Sequence, residues 1–98
     1  MTDRISSELH SFLVRMAYTP EGIEHDTVHG MEHLLHLLEP EDEEAVIRYY
    51  GLFGADRMSL DEIAHSRGMS AEDMMAAIDR CIRRIAVTPE WQMIKQKI

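Results

Sequence analysis

The side chains best suited to chemistry are four histidines, His25, His29, His33 and His36, whose spacing from the first is four, eight and eleven residues. At the period of a helix these offsets return to one face, so the imidazoles line up along a single stripe with Glu32 beside them. Two or three imidazoles gathered in this way can hold a transition metal, and His29, His33 and His36 are the candidate ligands. Two other readings fit the same stripe: a polar, solvated helix face, and a pH-sensitive surface whose histidines gain charge near about pH 6. No cysteine or second ligand cluster closes a site around them, so neither a metal nor any other cofactor is expected. The chain offers no nucleophile with a base in reach, no paired-carboxylate cleft and no glycine-rich phosphate loop. An enzyme is the least expected class.

Composition narrows the remaining classes. With 98 residues and an apolar share of 45%, the chain is expected to form one domain around one modest core. Eighteen acidic against ten basic residues give a net charge of -8, which disfavours contact with phosphate backbones. The charge is uneven. Residues 1 to 69 hold fourteen acidic and five basic side chains (net -9), and residues 70 to 98 hold four acidic and five basic (net +1). Any contact with nucleic acid therefore belongs to the C-terminal part. The single cysteine, Cys81, falls on an apolar stripe, has no partner for an internal disulfide and reads as a small core residue, which suits a reducing cytoplasm. No charged-then-apolar N-terminal signal and no membrane-length apolar run is seen, so a soluble cytoplasmic protein is expected.

These side chains must be positioned by helices. Ile5, Leu9, Phe12, Leu13 and Met16 recur at helical spacing, with Thr2 or Asp3 as N-cap and Thr19-Pro20 closing the segment. Residues 21 to 25 read as a linker, and Asp26 caps a second helix through Leu38 whose apolar side is Val28, Met31, Leu34, Leu35 and Leu38. Glu39-Pro40-Glu41 opens a third helix with Val46, Tyr49 and Tyr50 turned inward and Gly51 as its stop. Ser59-Leu60-Asp61-Glu62 is a capping box for a fourth, with Leu60, Ile63 and Ala64 inward. After a turn at Gly68, Ser70 and Asp73 repeat the pattern for a fifth helix striped by Met74, Ala77, Ile78, Cys81, Ile82 and Ile85. Thr88-Pro89-Glu90 starts a final short helix bearing Trp91, Met93 and Ile94. The expectation is an all-α, compact bundle of about six helices, split into an N-terminal helix and linker (1 to 25) and a helix-turn-helix domain (26 to 98). The N-terminal helix either packs on that domain or pairs two copies through Leu9, Phe12, Leu13 and Met16.

The stretch from Leu38-Glu39-Pro40 through Tyr50-Gly51-Leu52, then Ser59-Leu60-Asp61-Glu62-Ile63-Ala64, Gly68-Met69-Ser70, the run 80 to 85 and Thr88-Pro89 carry a resemblance. They are similar to the C-terminal domain, region four, of the primary sigma factors of bacterial RNA polymerase, over roughly the last two-thirds of the chain. The resemblance implies a helix-turn-helix that binds the upstream promoter hexamer while an apolar concave side grips the flap of the polymerase β subunit. The family's recognition helix opens threonine, arginine, glutamate, arginine, isoleucine, arginine, glutamine. Those places are taken here by Ser70, Ala71, Glu72, Asp73, Met74, Met75 and Ala76.

Glu72 is retained, and a carboxylate there can accept a hydrogen bond from a cytosine amino group. Its basic companions are absent, and each bidentate arginine contact to a base contributes about 1 to 3 kcal/mol of discrimination. Arg80, Arg83 and Arg84 match basic family positions further along, which leaves a weak phosphate grip or a protein contact. The DNA-binding candidates are thus Ser70, Glu72, Met75, Ala76, Arg80, Arg83 and Arg84. The expected function is a sigma-factor-like transcription protein acting mainly through RNA polymerase or a sigma partner, with weak or absent DNA binding. The alternative is an anti-sigma-like interaction module that keeps the fold and leaves DNA alone.

Overall fold

Local capping chemistry sets most of the helix boundaries. In the computed structural model, which describes residues 4–98, six α-helices follow one another: α1 (Arg4–Tyr18), α2 (His25–Leu35), α3 (Pro40–Tyr50), α4 (Leu60–Ser66), α5 (Ala71–Ala86) and α6 (Pro89–Lys97). Thr2 and Asp3, the expected caps of the first helix, lie outside the described residues. Ser59 and Glu62 form the reciprocal capping box, with the Glu62 amide donating to Ser59 Oγ at 3.1 Å and the Ser59 amide to Glu62 Oε1 at 3.2 Å. Thr88 Oγ1 accepts from the Trp91 amide at 3.1 Å, with Pro89 in the first turn of α6 where a missing N–H costs nothing. Among the described residues there is no strand, and no helix is long and apolar enough to cross a membrane.

The second helix is shorter than its apolar pattern predicts. It begins two residues early, with Glu24 rather than Asp26 at the cap position, and it stops at Leu35 rather than Leu38. There the amides of Leu37 and Leu38 donate to the carbonyls of Leu34 and Leu35, three residues back, so the last turn tightens. Pro40 keeps Glu39 extended (φ -59°, ψ 147°), which prevents α2 from running into α3. Leu38 is buried, but from this turn. The expected linker contains one 3-10 turn, Pro20–Gly22.

The helix α5 is the centre of the core. It packs against α1, α3, α4 and α6, and its whole stripe of Met74, Ala77, Ile78, Cys81, Ile82 and Ile85 is buried. Leu9, Phe12, Leu13 and Met16 of α1 close over it, so the N-terminal helix shares one core with the rest. All four are at most 4% exposed, as in the first of the two alternatives, so they are not a surface through which two copies could pair. Each fully buried Leu or Ile side chain contributes about 1.5 to 3 kcal/mol against the entropy of ordering the chain. Trp91 of α6 stands 5.6 Å from Phe12, ring centre to ring centre, and ties α6 to the same core.

Several inward assignments shift. Ile5 is 47% exposed, while Ser6 takes the buried place three residues before Leu9. Tyr49, Leu60 and Val28 are half-buried at the margin of the core. On α6, Trp91 is buried, Ile94 is half-buried and Met93 is 64% exposed.

Candidate functional site

The turn between α4 and α5 fixes the direction in which α5 starts. Gly68 has φ 65°, a left-handed conformation that glycine adopts without strain. The Gly68 amide donates to the His65 carbonyl at 3.1 Å and the Met69 amide to the Ala64 carbonyl at 2.9 Å, the paired bonds of a Schellman stop. Two residues on, Ser70 Oγ accepts from the Asp73 amide at 3.0 Å, and α5 begins. Ser70 is exposed, and its first role is as this cap.

Along the outward face of α5 the charges are sorted by sign. Glu72 and Asp73 sit exposed in the first turn, where carboxylates meet the positive end of the helix dipole. Ala76 follows, exposed and neutral. Arg80, Arg83 and Arg84 are exposed in the rear half, with Arg84 about 18 Å along the axis from Glu72. Met75 is not part of this open face: it is half-buried against the core, and its Sδ accepts from the Tyr49 hydroxyl at 3.7 Å. The α3 aromatic thus covers part of the Met75 side chain.

Beside this face, α3, α4 and the turns around them enclose a groove of about 610 Å³. Its floor is apolar, made by Ala45, Met58, Ile63 and Met69, and its rim carries Glu41, Glu44, Arg48 and Arg67. Arg67 donates to Asp42 Oδ1 at 2.9 Å and lies 3.7 Å from Glu41, so the end of α4 is pinned to the first turn of α3. In the sequence Arg67 stands just before the Gly68 turn, with nothing to mark its partner. A bond spanning 25 residues leaves no local signal, although an arginine after a helix stop and an acidic first turn elsewhere are the parts from which it is made.

The four histidines of the α2 stripe are exposed but do not converge as a group. His25 and His29 meet with their Nε2 atoms 2.9 Å apart. His33 and His36 keep their ring centres 6.4 Å apart, and His36 is instead held by Glu43 Oε2 at 2.6 Å. Among the described residues no group of three or more His, Cys, Asp or Glu is placed to hold a metal ion. The expected candidates His29, His33 and His36 are therefore divided between two places.

One polar contact inside the bundle was not foreseen. His10 Nδ1 and the Tyr50 hydroxyl lie 2.7 Å apart, joining α1 to α3. Burial, then Tyr49, then Asp79, push the Tyr50 hydroxyl well above its ordinary ionisation range, so it stays protonated. Burial also pushes the Cys81 thiol up, with Asp42 adding to the shift and Arg80, Arg67 and Arg84 opposing it. A thiol held protonated in a core is a poor nucleophile and a poor metal ligand. Comparison of the chain with protein-family models, curated proteins and solved structures finds no match.

Proposed function

We propose that the protein is a stand-alone transcription protein of the sigma region-four kind, working in the cytoplasm mainly through protein contacts. Its partner is RNA polymerase, through the β flap, or a sigma or anti-sigma protein, and its grip on promoter DNA is weak or absent. The supporting scaffold is the succession of α4, a glycine turn and a capped α5, which is the layout of a helix-turn-helix.

The observation that carries the reading is the placement of charge on α5. In a helix-turn-helix the N-terminal residues of the second helix meet the base edges. Here that end presents Glu72 and Asp73, while Arg80, Arg83 and Arg84 lie behind it. Two carboxylates brought toward a polyanion are repelled, and a single acceptor such as Glu72 cannot replace the bidentate cations that read guanine. The groove between α3 and α4 favours a protein partner instead: Met58 and Met69 are adaptable apolar contacts, and a concave apolar floor with a charged rim suits an amphipathic helix.

The second reading, an anti-sigma-like module that keeps the fold and never touches DNA, draws on the same acidic front. Duplex DNA bearing the upstream hexamer separates the two from a promoter reader. Its apparent Kd is expected to be no tighter than the roughly 10⁻⁴ to 10⁻⁶ M of non-specific contact at physiological salt. Sequence-selective binding well below that range would restore promoter reading. Titration with purified β-flap peptide is expected to give saturable binding that weakens when Met69 is replaced by Asp. No binding at high micromolar peptide would leave the interaction module.

A further inference from the structure

We infer that His25 and His29 form a two-imidazole site for a divalent transition-metal cation of the nickel, copper and zinc group on the exposed side of the first turns of α2. The two residues stand four apart on the helix, one above the other, and both are exposed. Their Nε2 atoms converge to 2.9 Å. Two imidazole nitrogens bound at about 2.0 to 2.1 Å and meeting the metal near a right angle are about 2.9 Å apart, whereas a tetrahedral angle spreads them to about 3.3 Å. The spacing thus suits the tetragonal or octahedral coordination of copper and nickel without rearrangement, and reaches zinc with a small opening.

Glu32 supports the same assignment. Its Oε1 lies 3.4 Å from His29 Nδ1, on the far side of the ring from His25. A carboxylate on the second nitrogen of a metal-binding histidine holds the proton there and leaves Nε2 as the lone pair. In the free protein the short contact is one shared proton: His25 Nε2–H donates to His29 Nε2. When a metal binds, the His25 proton moves through solvent to its own Nδ1, so both Nε2 atoms become ligands and no net proton is lost from the neutral pair. The positive end of the α2 dipole works against a cation at this place. Glu21, Glu24, Asp26 and Glu32 surround it in sequence and offset that field. Water fills the remaining coordination positions.

The test uses the full chain titrated separately with NiCl₂, CuCl₂ and ZnCl₂, following imidazole ¹⁵N resonances and heat release. The expected result is saturable binding that His25→Ala and His29→Ala each weaken about tenfold or more, while His33→Ala and His36→Ala change it less than about twofold. All four positions are exposed, so circular dichroism of each variant is expected to match the parent. Glu32→Gln is expected to weaken binding several-fold and to move the neutral His29 resonances from the Nδ1-protonated to the Nε2-protonated pattern. No binding at millimolar metal would overturn the site. Equal losses from all four histidine variants would overturn it as well, in favour of diffuse attraction along the stripe, and unchanged affinity and tautomer in Glu32→Gln would remove the positioning role of Glu32.

Discussion

The Tyr50 hydroxyl and His10 Nδ1 lie 2.7 Å apart, and through this bond the last turn of α3 is fixed to the middle of α1. The two rings also meet edge-on, 5.5 Å between centres, so the contact is both polar and apolar. Replacing Tyr50 with Phe keeps the ring and removes the hydroxyl, which leaves the half-buried His10 Nδ1 without this partner. The expected loss is about 1 to 2 kcal/mol in urea denaturation, and a double-mutant cycle with His10→Ala should return a coupling of about 1 kcal/mol. Additive losses would show that the two groups do not interact in solution.

The same hydroxyl predicts how stability depends on alkali. Its ionisation is raised in the folded chain, chiefly by burial, so the folded state holds a proton that the unfolded state releases above about pH 10. A raised folded value contributes stability that is complete below the unfolded pKa and is lost as pH rises beyond it. Cys81 acts with the same sign, from its ordinary value of 9.0 upward. The urea midpoint is therefore expected to hold steady to about pH 9 and to fall steeply above about pH 10, with a shallower fall in Tyr50→Phe. An equal slope in both proteins would assign the alkaline loss to other groups.

How far the sequence reveals this arrangement depends on whether the cause is local. Ser59 with Glu62, Ser70 with Asp73, Thr88 and Gly51 act within one turn of chain, and the helix boundaries they predict are those observed. The continuous stripe of α5 is equally legible because that helix is covered on several sides. Where coverage depends on a neighbour, periodicity misleads: Ile5 continues the stripe of α1 at its outer end and lies open. The contacts His10 to Tyr50 and Arg67 to Asp42 join distant segments and leave no periodic trace. The histidine offsets were readable. That His25 meets His29 follows from their four-residue spacing, whereas the turn of His36 to Glu43 depends on the placement of α3, which the spacing does not encode.

The packing of α1 makes a prediction about cooperativity. Leu9 and Leu13 are fully buried in the common core, so truncating either to Ala is expected to cost about 2 to 5 kcal/mol. The only tryptophan, Trp91, packs on Phe12 of the same helix and reports on it directly. Trp91 fluorescence and far-ultraviolet circular dichroism should trace one coincident urea transition in the parent chain. An earlier fluorescence transition would mean that α1 and α6 leave the bundle before the rest unfolds.

Cys81 is expected to resist modification. It is 8% exposed and its thiol is held protonated by burial, so the thiolate that reacts is scarce in the native state. Alkylation in the folded protein should proceed at the rate of opening and accelerate in urea in step with loss of helix. Rapid reaction in native buffer would show that the face of α5 toward α3 and α4 is open.

Charge on the front of α5 can be reversed where the helix tolerates it. Asp73 and Ala76 are both exposed and one turn apart, so Asp73→Arg with Ala76→Arg changes the local charge by three units without entering the core. The backbone bond from the Asp73 amide to Ser70 does not depend on that side chain and should survive. If the acidic front is what keeps DNA away, the double variant should bind duplex DNA at least about tenfold more tightly at low salt. Its log-log salt dependence should steepen by about 0.9 for each phosphate newly neutralised. Met75 is left unchanged because an arginine there would displace the contact with Tyr49 and confuse a stability loss with a binding effect. Unchanged affinity and slope would mean that DNA never approaches this face, and that the arginines at the rear of α5 belong to a protein contact.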